Sequence, residues 1–271
     1  MALISVAELS EQIDEPDLVV CDVRFHLDDH ARGRREYDAA HLPRAQFVDL
    51  HTELAGGGGG GRHPLPAVAD FLALLGRLGV QPGSLVVAYD DAAGATASRL
   101  WWMLRSIGHG RTAVLNGGID AWTSAGLDLT SEVPQQTATA YPVSPGWTGI
   151  VDADAVAQSA GLGGTVIDAR APERFRGETE PIDSRAGHIP GAINRFHGDT
   201  VGSDGRHLPT ERLAELFAGV GENPIVYCGS GVTACHDLLA MSTIGLAGAR
   251  LYPGSWSEWS ADPDRAVATA D

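Results

Sequence analysis

Residues 165–170, TVIDAR, restate residues 19–24, VVCDVR: each is an apolar run ending in Asp-x-Arg, with Asp168 answering Asp22 and Arg170 answering Arg24. The likeness then continues in order along the chain. AGHIPGA at 186–192 answers AAHLPRA at 39–45, so His188 pairs with His41, and GRHLPT at 205–210 answers GRHPLP at 61–66. PIVYC at 224–228 answers VVAYD at 86–90, and PGSWSEW at 253–259 answers NGGIDAW at 116–122. Two tandem copies of one unit are the simplest account. They predict an N-terminal domain at 1–129, a Pro-, Thr- and Ser-rich linker at 130–148, and a C-terminal domain at 149–271.

Each copy reads as short apolar strands (Leu18–Cys21, Leu85–Tyr89, Val166–Ile167, Ile225–Tyr227) separated by stretches of helical period. ASRLWWMLRSIG places Ala97, Leu100, Trp101 and Leu104 on one helical face. Strands alternating with helices predict an α/β protein whose sheets are parallel and flanked by helices on both faces, twice over. Six glycines at 56–61 form a flexible loop.

The net charge of −16 argues against nucleic acid and anionic membrane as partners, since both require basic surface. It leaves room for a small anion held by a few local arginines. No apolar stretch approaches the roughly 20 residues of a membrane span and no leader pattern opens the chain, which points to the cytoplasm. Three cysteines, Cys21, Cys228 and Cys235, suggest neither a disulfide framework nor a zinc site, and nothing calls for a metal or cofactor.

Cys228 is where the copies part, because the first copy has Asp90 in its place. CGSGVT at 228–233 leaves an apolar strand and enters a helix whose stripe includes Val232, Cys235 and Leu239, so Cys228 is expected on an exposed turn and Cys235 and Cys21 in the core. A glycine-bearing turn at a helix N-terminus aims backbone N–H groups inward and cradles negative charge, which favours the thiolate, the nucleophilic form. A phosphatase would place an arginine at the far end of such a loop. Here Ala234 is the sixth residue on and no arginine follows before Arg250, so sulfur transfer, which needs no clamp of that kind, fits better.

Asp-x-Arg, GHIPGA, YCGSGVTA and YPGSWSEW, in that order and doubled with an inactive first copy, resemble the two-domain rhodanese family of sulfurtransferases. The Gly-Ser-Gly after the cysteine is similar to its 3-mercaptopyruvate branch rather than its thiosulfate branch. The resemblance implies tandem rhodanese-like domains, with Cys228 as persulfide carrier and Gly229, Ser230, Gly231, Val232 and Thr233 as its cradle. It implies a Ser230–His41 proton relay backed by Asp29 or Asp28, although the repeat position of His41 equally suits a scaffold role. Arg174, in ERFRG, would grip a substrate carboxylate. Arg185 would assist from a shifted position, because Ile182 stands where the family has a second arginine. The implied partners are a small anionic donor, 3-mercaptopyruvate or thiosulfate, and a thiol, thioredoxin-like or cyanide acceptor. Asp168 and Arg170 read as a structural pair and His188 as a turn histidine; His26, His30, His109, His197, His207 and His236 read as solvated surface.

Overall fold

The computed structural model describes residues 2–58 and 60–269, so one glycine of the 56–61 loop lies outside the described residues. The chain forms two compact units, one of Met1–Gly56, Pro66–Thr148 and Ser203–His207, the other of Gly57–Leu65, Gly149–Gly202 and Leu208–Asp271. Each unit therefore includes the Gly-Arg-His segment belonging to the other repeat. Of the linker expected at 130–148, Thr130 bridges to His41, and 131–148 has no regular structure and packs within the first unit, where the Thr139 amide donates to Gly76 O at 2.9 Å and Thr148 bonds to Ser106. No described helix is long and apolar enough to cross a membrane.

The first unit holds strands β1 (Leu3–Ile4), β2 (Leu18–Asp22), β3 (Ala45–Phe47), β4 (Leu85–Tyr89) and β5 (Thr112–Leu115) in the order β1-β5-β4-β2-β3, every neighbouring pair parallel. Helices α1 (Val6–Gln12), α2 (Arg32–Ala39), α3 (Val68–Arg77), α4 (Ala97–Ser106) and α5 (Gly118–Ser124) flank it. β2 is buried at every residue, which is why it reads as an unbroken apolar run rather than an alternating one. α4 departs from the expected one-sided helix. Ala97, Leu100, Trp101 and Leu104 are buried, but so are Arg99, Trp102 and Met103, so the helix is enclosed almost all round.

The second unit repeats this plan with β6 (Val166–Asp168), β7 (Ile193–Asn194), β8 (Ile225–Tyr227) and β9 (Arg250–Leu251) in the order β7-β6-β8-β9, again parallel. A parallel bridge from Ile150 to Leu251 stands where β1 meets β5 in the first unit. Its helices are α6 (Ala153–Gly161), α7 (Pro172–Phe175), α8 (Thr210–Leu216), α9 (Ala234–Thr243) and α10 (Ser255–Trp259).

The repeated motifs turn out to be one buried lock, built twice. Asp22 receives Arg24 through Nε and Nη2, Arg24 Nη2 also donates to Ala40 O at 2.8 Å, and the Tyr89 hydroxyl donates to Asp22 at 2.6 Å while accepting the Leu42 amide at 3.1 Å. In the second unit Asp168 and Arg170 pair alike, Arg170 Nη2 reaches Gly187 O at 2.6 Å, and the Ile189 amide donates to the Tyr227 hydroxyl at 3.1 Å. The pair is structural, as expected for Asp168 and Arg170. Buried charges held this way are satisfied on every side, so removing one partner leaves an uncompensated ion.

The motif histidines belong to the same scaffold. His188 stacks on Phe175 with ring centroids 3.7 Å apart and bonds Phe175 O through Nδ1 at 2.8 Å. His41 is its twin. It stacks on Tyr37 at 4.0 Å, and its two ring nitrogens lie 2.7 Å from Tyr37 O and 3.2 Å from Glu132 O.

Candidate active site

β8 ends at Tyr227, and the next residue, Cys228, is held from both sides. Its amide donates to Ser255 Oγ at 3.2 Å, and its carbonyl accepts the Trp256 amide at 2.9 Å. The start of α10 thus closes over the turn, and Cys228 is 1% exposed, not the exposed residue the sequence suggested. Its Sγ accepts the Gly231 amide at 3.1 Å. Gly231 sits at φ +75°, and a Cβ there would fall 2.5 Å from Pro253 O, so both backbone sign and space demand glycine. Cys235, in the core as expected, donates through Sγ to Gly231 O at 3.3 Å.

The first unit shows what such a turn holds. Asp90 points its carboxylate into the β4–α4 turn, where Oδ1 accepts the amides of Ala92 and Gly94 at 2.9 and 2.8 Å. Its Oδ2 accepts the amides of Thr96 and Ala97, both at 2.8 Å, and the Thr96 hydroxyl at 2.9 Å. Four convergent N–H groups make a nest for negative charge. In the second unit the thiol of Cys228 takes the place of that carboxylate.

Ser230 Oγ shares a 2.9 Å hydrogen bond with His63 Nδ1, and both residues are buried. His63 therefore holds the position expected for His41, whose ring nitrogens are already taken by backbone carbonyls. Asp29 is corrected with it: it is partly exposed and paired with Arg35 at 2.6 Å, with no part in the Ser230 contact, and Asp28 is exposed.

Arginines border the loop at Gly229, where the direction of a Cβ runs to 3.0 Å from Arg62 Nη2 and 3.6 Å from Arg174 Nη1. Asp183 bridges them, accepting Arg62 Nη1 at 2.7 Å and Arg174 Nη2 at 3.2 Å, and Glu180 takes Arg174 Nη2 at 2.6 Å. Burial pushes the Glu180 carboxyl up, but hydrogen bonds from Arg174 and the Asp183 and Ile182 amides outweigh it, leaving Glu180 below the usual carboxylate range. Arg62 Nε is buried and makes no hydrogen bond among the described residues. The two guanidinium groups thus bring Arg62 Nη2 and Arg174 Nη1 to the side facing the loop. Arg185 does not join them. Its three nitrogens are spent on the carbonyls of Ser260, Arg265, Trp259 and Asp262, tying down the chain after α10.

Val232 and Thr233 complete the turn, Val232 buried and Thr233 at the N-cap position of α9 without a side-chain cap bond. Of the histidines expected on the surface, His109, His207 and His236 are buried. His207, the repeat partner of His63, has its pKa pushed down to about 4, chiefly by burial.

Asp237 lies on α9, fully buried, and neither carboxyl oxygen has a hydrogen-bond partner among the described residues. Burial first, then the charges of Cys228, Asp168 and Asp199, push its pKa well above the usual carboxylate value. The folded chain keeps this proton while the unfolded chain releases it near pH 4, so stability falls as pH rises above that point. Asp237→Asn removes the loss. Its melting temperature is expected to exceed that of the parent by several degrees at pH 8, for a gain of about 1–3 kcal/mol, with the gap narrowing toward pH 5. A gap independent of pH would show that Asp237 is ionised in the folded chain.

The Rhodanese-like domain family matches residues 5–125 and 152–262, and the chain belongs to that family. Over 99% of its length it is 44% identical to the probable 3-mercaptopyruvate sulfurtransferase of Pseudomonas aeruginosa, of which it covers 98%. It is 43% identical to the putative thiosulfate sulfurtransferase SseB of Mycobacterium tuberculosis, over 98% of this chain and 96% of that one. The crystal structure of the 3-mercaptopyruvate sulfurtransferase SseA from Escherichia coli superposes with a TM-score of 0.81 at 31% identity, covering 94% of this chain and 99% of that one.

Proposed function

We propose that this sulfurtransferase takes sulfur from 3-mercaptopyruvate through a Cys228 persulfide and passes it to a thiol, a thioredoxin-like protein or cyanide, without a cofactor. The observation that carries the reading is the 2.9 Å Ser230–His63 contact beside the nucleophile. The Cys228 thiolate attacks the donor sulfur; an S–S bond forms and the C–S bond breaks. The electron pair left on the departing enolate takes a proton relayed through Ser230 and His63, giving pyruvate. Arg62 and Arg174 present N–H groups where the donor carboxylate would lie, and the loop amides receive the anionic outer sulfur. The acceptor thiolate then attacks that outer sulfur and restores Cys228. Three free cysteines support a reducing compartment, the cytoplasm.

Thiosulfate is the second reading, favoured by the name of the mycobacterial relative. Sulfite needs no proton to leave, so the relay would be idle with that donor. The test is kcat/KM for both donors on one preparation, with mercaptopyruvate expected to lead by at least about tenfold, since proton transfer by a placed side chain is worth that and more. Equal values, or a lead for thiosulfate, would overturn the assignment of the donor.

A further inference from the structure

We propose that His26, Glu36 and Asp91, in the first unit, form a binding site for one divalent first-row transition-metal ion. Nothing in the sulfur-transfer chemistry uses these residues. They come from three separate places: the loop after β2, the middle of α2, and the turn after β4. Their donor atoms nevertheless converge. His26 Nε2 lies 3.0 Å from Glu36 Oε2 and 3.4 Å from Asp91 Oδ2, and all three ligand atoms fall within 4.8 Å of one another.

The two separations from His26 Nε2 are those of a coordination sphere. Donors bound about 2.1 Å from one ion stand about 3.0 Å apart at a right angle and about 3.4 Å apart at a tetrahedral angle. One imidazole and two carboxylates suit zinc, manganese, iron or cobalt, and three protein ligands leave positions for water. The carboxylates are also oriented from outside. Glu36 turns its other oxygen, Oε1, to Arg32 Nε at 2.7 Å, an outer-shell contact of the kind that fixes a ligating carboxylate. The three side chains are partly buried, at 16%, 30% and 22% exposure, so an ion there would lose part of its water without being sealed in.

The local charge favours a cation. Asp90 has its own charge satisfied by the loop amides, and Arg32 is already engaged by Glu36, so two carboxylates face a single imidazole. A divalent ion resolves that imbalance. His26, expected on the solvated surface, is instead the nitrogen donor of the cluster.

Titration of the full chain with Co(II) tests the proposal. One equivalent should bind with a dissociation constant in the micromolar range or tighter and produce d–d bands free of the intense near-ultraviolet band of a thiolate ligand. His26→Gln and Asp91→Asn should each weaken binding at least about tenfold in chains that melt like the parent. Independently of any variant, substoichiometric Mn(II) should broaden the ring resonances of His26 before those of the other nine histidines. No saturable binding below about 1 mM, a thiolate band pointing to Cys228, or broadening at another histidine would each overturn the site and leave an ion-paired imidazole in its place.

Discussion

Cys228→Ser loses sulfur transfer from either donor by at least about 10³-fold, and the parent chain, incubated with donor alone, becomes one sulfur atom heavier at Cys228 and at neither Cys21 nor Cys235. The other two thiols are unsuited to the task. Cys21 is wholly buried within β2, its pKa is pushed up to about 12 chiefly by that burial, and Cys235 is wholly buried with its Sγ bonded to Gly231 O. Cys228, by contrast, follows β8 at the turn into α9, with the Gly231 amide donating to its sulfur. Peptide mass spectrometry decides the matter, and a persulfide on Cys235 with full turnover by the serine variant would remove Cys228 from the reaction.

His63→Asn is expected to cut mercaptopyruvate turnover by about 10²–10⁴-fold, with Ser230→Ala close behind, while thiosulfate turnover falls far less. The difference between donors is the informative quantity, because a loss of packing would reduce both alike. His41→Asn supplies the contrast. With its ring stacked on Tyr37 and its nitrogens against Tyr37 O and Glu132 O, this substitution lowers the melting temperature and leaves the ratio of the two donors where it was. A donor-selective loss in His41→Asn, with none in His63→Asn, would reverse the assignment of the relay.

The fold was legible because its strands are parallel and doubly buried, so β2 and β4 stand out as unbroken apolar runs and the Asp-x-Arg after β2 and β6 marks the same turn twice. Cys228 was legible as the candidate nucleophile because one residue at a repeated place changed from Asp90 to Cys228. The histidine proposed for the relay was not. His63 lies 167 residues from Ser230 in a segment that packs with the opposite repeat, and no local periodicity reports such a placement. A signal was present in GRHPLP and GRHLPT, which keep their histidine in both copies, but the motif read only as a landmark of the repeat. Arg185 failed for the converse reason: four carbonyls of the terminal segment claim it, and carbonyls leave no trace in a side-chain pattern. The burial of Cys228 was hidden likewise, since the cover comes from Ser255 and Trp256.

Asp90, seated on four amides and a hydroxyl, gives the first unit the equivalent of an inhibitor built into the chain. Because the carboxylate is tethered to the turn it fills, its effective concentration there exceeds that of any anion in solution, and no diffusing donor competes for the nest. Under the proposed mechanism the first copy therefore lacks two things: a sulfur nucleophile at the Asp90 position, and loop amides not already engaged by that carboxylate. The Asp90 carboxylate thereby makes the turn a pinned joint between β4 and α4.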